Sequence, residues 1–114
     1  MLMSTSEDGD CLIISVHEKR VDAAVAVKFK DQIRELADAP APRIVLNLSG
    51  VDFLDSSGLG AVVGAMKQLG TDRRMDLAGL TPGVDKVFRM TRMDTVFRIF
   101  PDAAAAVRGA AHAS

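Results

Sequence analysis

The stretch Arg43-Ile44-Val45-Leu46-Asn47-Leu48 is apolar with little alternation. Successive side chains of a strand leave opposite faces, so a strand with one face in water alternates apolar and polar residues. A run without that alternation has to be covered on both sides, as a central, largely parallel strand is when helices pack above and below it. This one segment points the chain toward an α/β architecture.

The flanking segments agree with it. Cys11 to Val16 is a short β-branched-rich run and reads as a strand, preceded by a polar lead-in over residues 1–10 with Gly9-Asp10 as a turn. Asp22 stands as N-cap ahead of a helix in which Val25, Phe29, Ile33 and Leu36 recur on one face. Pro40 and Pro42 forbid its continuation. After the central strand, Ser49 to Leu54 reads as a connector, and Asp55-Ser56-Ser57-Gly58 opens a second helix. Its apolar stripe is Leu59, Val62 or Val63, Met66 and Leu69, and Gly70 suits a left-handed cap. Met75 to Ala78 reads as a strand, and Thr81-Pro82 starts a helix with proline at its first position, Val84, Val87 and Phe88 facing inward. Val96 to Phe100 alternates like an outer strand. Pro101-Asp102 then leads an alanine-rich helix before a frayed end at residues 110–114. Strand-helix alternation throughout predicts a mostly parallel sheet with helices packed against it, as one domain over residues 1–114.

Charge narrows the function classes. Fourteen Lys and Arg stand against fifteen Asp and Glu, a net charge of -1, whereas nucleic-acid binders carry a basic excess to neutralise phosphates. No nucleic-acid partner is expected. The apolar stretches fall short of the ~20 residues that span a bilayer, so no membrane insertion is expected either. The first eight residues lack a basic segment followed by an apolar core, unlike a secretory leader. The lone cysteine, Cys11, sits in an apolar run and reads as a small buried hydrophobe in a reduced, cytoplasmic setting.

The candidate site is the start of the second helix. A helix N-terminus presents unpaired backbone N–H groups and the positive end of the macrodipole, and so suits anions. Asp55, Ser56 and Ser57 all stand there, and Gly58 permits close approach of another backbone. Asp55 or one of the serines suffices as the helix cap, and three successive polar residues exceed what one cap requires. Farther along, Gly60, Ala61, Gly64 and Ala65 lie off the expected stripe and are all small, with Lys67 and Gln68 the helix's only large polar side chains. Such a face is either an interface for a close-packed partner or buried on two sides within its own domain.

The segment Ile44 to Leu48, then Val51-Asp52-Phe53-Leu54 and Asp55-Ser56-Ser57-Gly58-Leu59-Gly60, resembles the anti-sigma factor antagonists of the STAS family (sulphate transporter and anti-sigma factor antagonist). The resemblance runs from Cys11 to about Val107. It implies a mixed four- or five-stranded sheet backed by helices in the order β-β-α-β-α-β-α-β-α, with the first strand brief or absent here. It also implies that Ser56 is the phosphoacceptor of a partner-switching cascade. In that scheme the unphosphorylated antagonist binds an anti-sigma factor that is also a serine kinase of the histidine-kinase-like ATPase fold. Phosphorylation ends the binding and a phosphoserine phosphatase restores it. The partner surface so implied comprises Asp22, Asp55, Ser56, Ser57, Gly58, Leu59, Gly60, Ala61 and Gly64. Where the family often has a Gly-x-Leu-Asp turn, this chain has Lys19-Arg20-Val21-Asp22, which keeps the aspartate and lacks the glycine.

Catalysis of its own is not expected, nor a metal or cofactor. No phosphate-binding glycine loop or kinase motif set occurs, and His17 and His112 stand far apart without metal-ligand company. A Ser56–His17 hydrolase pairing lacks the Gly-x-Ser-x-Gly context. An aspartyl-phosphate receiver using Asp52 or Asp55 wants an acidic pair after the first strand, where this chain has His17-Glu18-Lys19. The alternative function is a non-phosphorylated adaptor subunit of a membrane transporter complex, such as one for lipid. Lys86, Arg89, Arg92 and Arg98, diluted by Asp85 and Asp94, read as a solvated face.

Overall fold

The structure, a computed structural model, describes residues 3–112. The chain runs β1 (Met3–Asp8), β2 (Cys11–Val16), β3 (Arg20–Val21), α1 (Ala26–Leu36), β4 (Arg43–Asn47), β5 (Phe53–Leu54) and α2 (Ser56–Gln68). It continues through β6 (Arg74–Ala78), α3 (Pro82–Met90), a 3-10 turn at Met93–Thr95, β7 (Ile99–Phe100) and α4 (Ala103–His112). Five strands form one sheet in the order β1-β2-β4-β6-β7. β1 is antiparallel to β2, and the remaining pairs are parallel. This is the mixed sheet with packed helices that the resemblance implies, and the five strands of that sheet alternate with the helices in the implied order. β3 and β5 are additional, and the first strand, expected to be brief or absent, spans six residues.

The run at β4 is covered on both faces. Ile44 and Leu46 join Leu12, Ile14, Leu77 and the inward residues of α1, α2 and α3, among them Phe29, Ile33, Val62 and Phe88. Val45, pointing the other way, joins Cys11, Ala78 and Ala106 beneath α4. Fully burying an aliphatic or aromatic side chain stabilises by about 1.5–3 kcal/mol, so the three-helix face carries most of the core energy. Phe88 meets Phe97 edge to face, with ring centroids 5.9 Å apart.

Several expectations are corrected. The polar lead-in is strand β1, paired residue for residue with β2 from Met3↔Val16 to Asp8↔Cys11. Its side chains after Met3 are all exposed, so backbone hydrogen bonds hold it and no apolar pattern announces it. Asp22 does not cap α1: its carboxylate accepts from the Ala24 N–H at 3.1 Å, and the helix begins after Val25, which makes no side-chain cap. Val96 to Phe100 is only half strand, because the 3-10 turn and a left-handed Arg92 (φ 60°) precede it. Val96 is exposed while Phe97 is buried in the core, and pairing with β6 covers only Ile99 and Phe100. Helix α4 continues to His112, across part of the expected frayed end; residues 113 and 114 lie outside the described residues.

Cys11 is buried, and that burial pushes its thiol above the ordinary value, outweighing the pull of nearby Arg43 in the other direction. A raised folded value means that the native state holds the proton where the unfolded chain has lost it. The resulting stability is present below the unfolded thiol's value and falls as pH rises beyond it. Labelling of the native protein with a neutral thiol reagent at pH 8 is therefore expected to run at least about tenfold slower than in urea; equal rates would place Cys11 at the surface.

Candidate functional site

Helix α2 starts where the chain leaves the sheet through β5. The two-residue strands β3 and β5 pair in parallel, Arg20 with Phe53 and Val21 with Leu54. The Val21 carbonyl also accepts from the Asp55 N–H at 3.4 Å. This small second sheet was not legible in the sequence, where the two stretches looked like a turn and a connector. It brings Asp22 and Asp55 to the same end of a shared edge.

Asp55 is the helix cap. Its backbone is extended (φ -99°, ψ -172°), and its carboxylate accepts from the Gly58 N–H at 2.9 Å. Its carbonyl accepts from the Leu59 N–H at 2.8 Å. The first N–H groups of a helix have no intrahelical partner. With Gly58 and Leu59 served by Asp55, the groups that remain for an outside acceptor belong to Ser56 and Ser57. Both serines are exposed. Capping therefore falls on Asp55 and leaves both serines outside that duty.

Gly58 is buried against the neighbouring strand. A Cβ there would collide with the Val21 carbonyl oxygen and crowd the Leu54 side chain. The residue is glycine because β3 lies against the first turn of α2.

The small-residue face of α2 divides. Ala61 and Ala65 are buried, with 6% and 1% of their surface exposed, packed into the core that α1 also covers. For these two the reading of a helix buried on two sides is correct. Gly64 is half-buried, its α-carbon facing the Lys30 side chain of α1. Gly60 is exposed and open. The expected stripe residues Leu59, Val63, Met66 and Leu69 pack at the margin of the core while Val62 fills it. Of the predicted partner residues, Ser56, Ser57 and Gly60 thus form the outer surface. Asp55, Leu59, Gly64 and Asp22 are half-buried around it, and Gly58 and Ala61 lie beneath.

Two further residues belong to this surface. Arg20 lies over the Phe53 ring, 4.2 Å from its centroid, and its Nε is 3.6 Å from the Asp22 carboxylate. Phe53 keeps 40% of its surface exposed. An exposed aromatic stacked by arginine is the kind of anchor that dominates protein interfaces. Only the aromatic among polar connector residues signalled it in the sequence. His17, by contrast, takes no part: its Nε2 lies 2.7 Å from the Ser4 hydroxyl, across the β1–β2 pair. The Ser56–His17 pairing is thereby set aside.

Removing the cap by Asp55→Ala is expected to cost about 1 kcal/mol of stability, measured by urea unfolding. Gly58→Ala should cost more, because backbone rather than a flexible side chain must give way. An equal or smaller loss for Gly58→Ala would contradict the close approach of β3.

Comparison with known proteins bears on the whole chain. The family model of the STAS domain matches residues 3–106. Among solved structures, the chain is similar to an anti-sigma-factor antagonist (STAS) domain protein from Planctomyces limnophilus. The TM-score is 0.86 at 18% identity, covering 96% of this chain and 97% of that one. It is also similar to the anti-sigma factor antagonist SpoIIAA, a Bacillus cell fate determinant. The unphosphorylated form gives a TM-score of 0.71 at 24% identity, covering 95% and 97%. The phosphorylated form gives 0.65 at 22%, covering 94% and 98%. A sulfate transporter family protein from Wolinella succinogenes gives 0.72 at 14% identity, covering 85% and 81%. At these identities the likeness carries the fold.

Proposed function

The chain belongs to the STAS domain family, and from that premise we propose that it is an anti-sigma factor antagonist controlled by phosphorylation of Ser56. The observation that carries this reading is an exposed serine at the first position of a helix whose cap is already supplied by its neighbour Asp55. The protein acts by binding and is itself the substrate of other enzymes. Its partner in the unphosphorylated state is an anti-sigma factor that is also a serine kinase of the histidine-kinase-like ATPase fold.

In the modifying step the Ser56 hydroxyl oxygen forms a bond to the γ-phosphorus of ATP as the bridging P–O bond breaks, releasing ADP and a proton. A phosphoserine phosphatase reverses the state with water, returning the hydroxyl and inorganic phosphate. The phosphate adds about -1.5 to -2 charges at pH 7. At a helix N-terminus that charge is favoured by about 0.3–1 kcal/mol, so the fold tolerates it. Asp22, Asp52 and Asp55 stand around the same edge, and the modified patch becomes strongly acidic and bulkier. A partner packed on Ser56, Ser57 and Gly60 then meets both repulsion and obstruction, and binding is lost without unfolding.

The test is intact mass and peptide mapping after incubation with ATP and a kinase of this class encoded beside the gene, with binding followed in parallel. One phosphoryl group on Ser56, absent in Ser56→Ala, together with weakened binding of Ser56→Asp by at least about tenfold, is the expected result. A Ser56→Asp variant that binds as tightly as the wild type would refute the switch. Neither modification nor binding would favour the transporter adaptor instead.

A further inference from the structure

At the opposite end of α2 from Ser56, a hollow of about 560 Å³ opens between the last turn of that helix, the start of β6 and the segment before β7. Thirteen helical residues separate the two ends, roughly 20 Å at 1.5 Å per residue. Its walls include the apolar side chains of Met66, Met75 and Val96, and Val96 is 48% exposed in a position where core packing does not require it. Its charged lining is one-sided: Lys67, Arg73, Arg74 and Arg98 face it alongside a single carboxylate, Asp76.

That carboxylate is already engaged. Asp76 is buried, and it pairs with Arg43 through one oxygen and with Arg74 through the other, the latter at 3.2 Å. Arg73 spends donors on the carbonyls of Ala37, Ala39 and Ala41, so its charge is held in place without an acid partner. Arg98 leans over the Phe100 ring, 5.0 Å from its centroid. Among the described residues no carboxylate forms an ion pair with Lys67, Arg73 or Arg98. The α2 C-terminus contributes about half a negative charge from its dipole, too little to offset this surplus. Oxyanions are what such a surplus of guanidinium and ammonium groups recognises.

We propose that this hollow binds a small amphiphilic oxyanion, a carboxylate, sulfonate or phosphate monoester carried on an apolar body. The cations hold the head group and Met66, Met75 and Val96 cover the body. The volume falls in the range of small-molecule sites, roughly 300–1,000 Å³. The proposal does not depend on the switch at Ser56.

Decyl phosphate below its micellar concentration is the probe, titrated calorimetrically and by amide NMR at low salt. Saturable one-to-one binding is expected, with shifts in Met66–Gly70, Arg74–Asp76 and Arg98 and none at Ser56 or Ser57. Lys67→Glu, an exposed helix position that leaves the core untouched, and Arg98→Glu should each weaken it by about tenfold, with melting temperature as the folding control. Decanol and inorganic phosphate should each bind far more weakly, since each lacks half of the recognised chemistry. The proposal is overturned by any of four results: no saturation, charge reversal without effect, equal binding of either control, or adsorption only to vesicles containing phosphatidylglycerol.

Discussion

Strand β4 has no face open to water, and much of the architecture follows from satisfying that condition. One side requires the large apolar residues of α1, α2 and α3; the other requires α4 with its small alanines. β2 and β6 complete its backbone hydrogen bonds from either side. Because β4 is fixed so completely, the chain that leaves it has little freedom in direction. Leu48 and Val51 are still buried, the Asp52 and Phe53 N–H groups bond to the Lys19 carbonyl, and the next residues must turn into α2.

The site inherits its precision from this anchoring. Asp55 caps α2 from an extended backbone, and β3 closes on Gly58 from the side, so the first turn of the helix is held on two flanks. Ser56 and Ser57 project from that rigid turn without being needed to build it. Under the proposed switch, this division would let Ser56 be modified while the fold persists, because the residue that stabilises the helix is its neighbour Asp55. Around them, Arg20 over Phe53 adds an amphipathic ledge, and the half-buried Gly64 keeps the outer face of α2 low where Lys30 crosses it.

Where side-chain patterning decides structure, the sequence was legible. The unalternating run at β4, a polar cap among Asp55, Ser56 and Ser57 at the start of α2, Gly70 with its positive φ after that helix, and proline at the first turn of α3 all state local requirements in their own residue types. β1 was illegible for the opposite reason, since its exposed polar side chains take no part in what holds it. β3 and β5 are too short to carry a period, and only their mutual pairing makes them strands. The small residues of α2 were ambiguous because alanine suits a core as well as an interface. Burial at Ala61 and Ala65 is decided by how closely α1 packs, a tertiary fact. Asp22 looked like a cap and is one, but of the turn before α1.

The central claim is that phosphate at Ser56 changes what the surface offers and leaves the scaffold alone. Amide NMR spectra of the unmodified and Ser56-phosphorylated protein, recorded under the same conditions, test it most directly. The account predicts shifts confined to the start of α2 and to the β3 and β5 residues beside it, with the amides of β4 and β6 unmoved and partner binding lost. Shifts spread through β4 and β6, or binding that survives the modification, would contradict it.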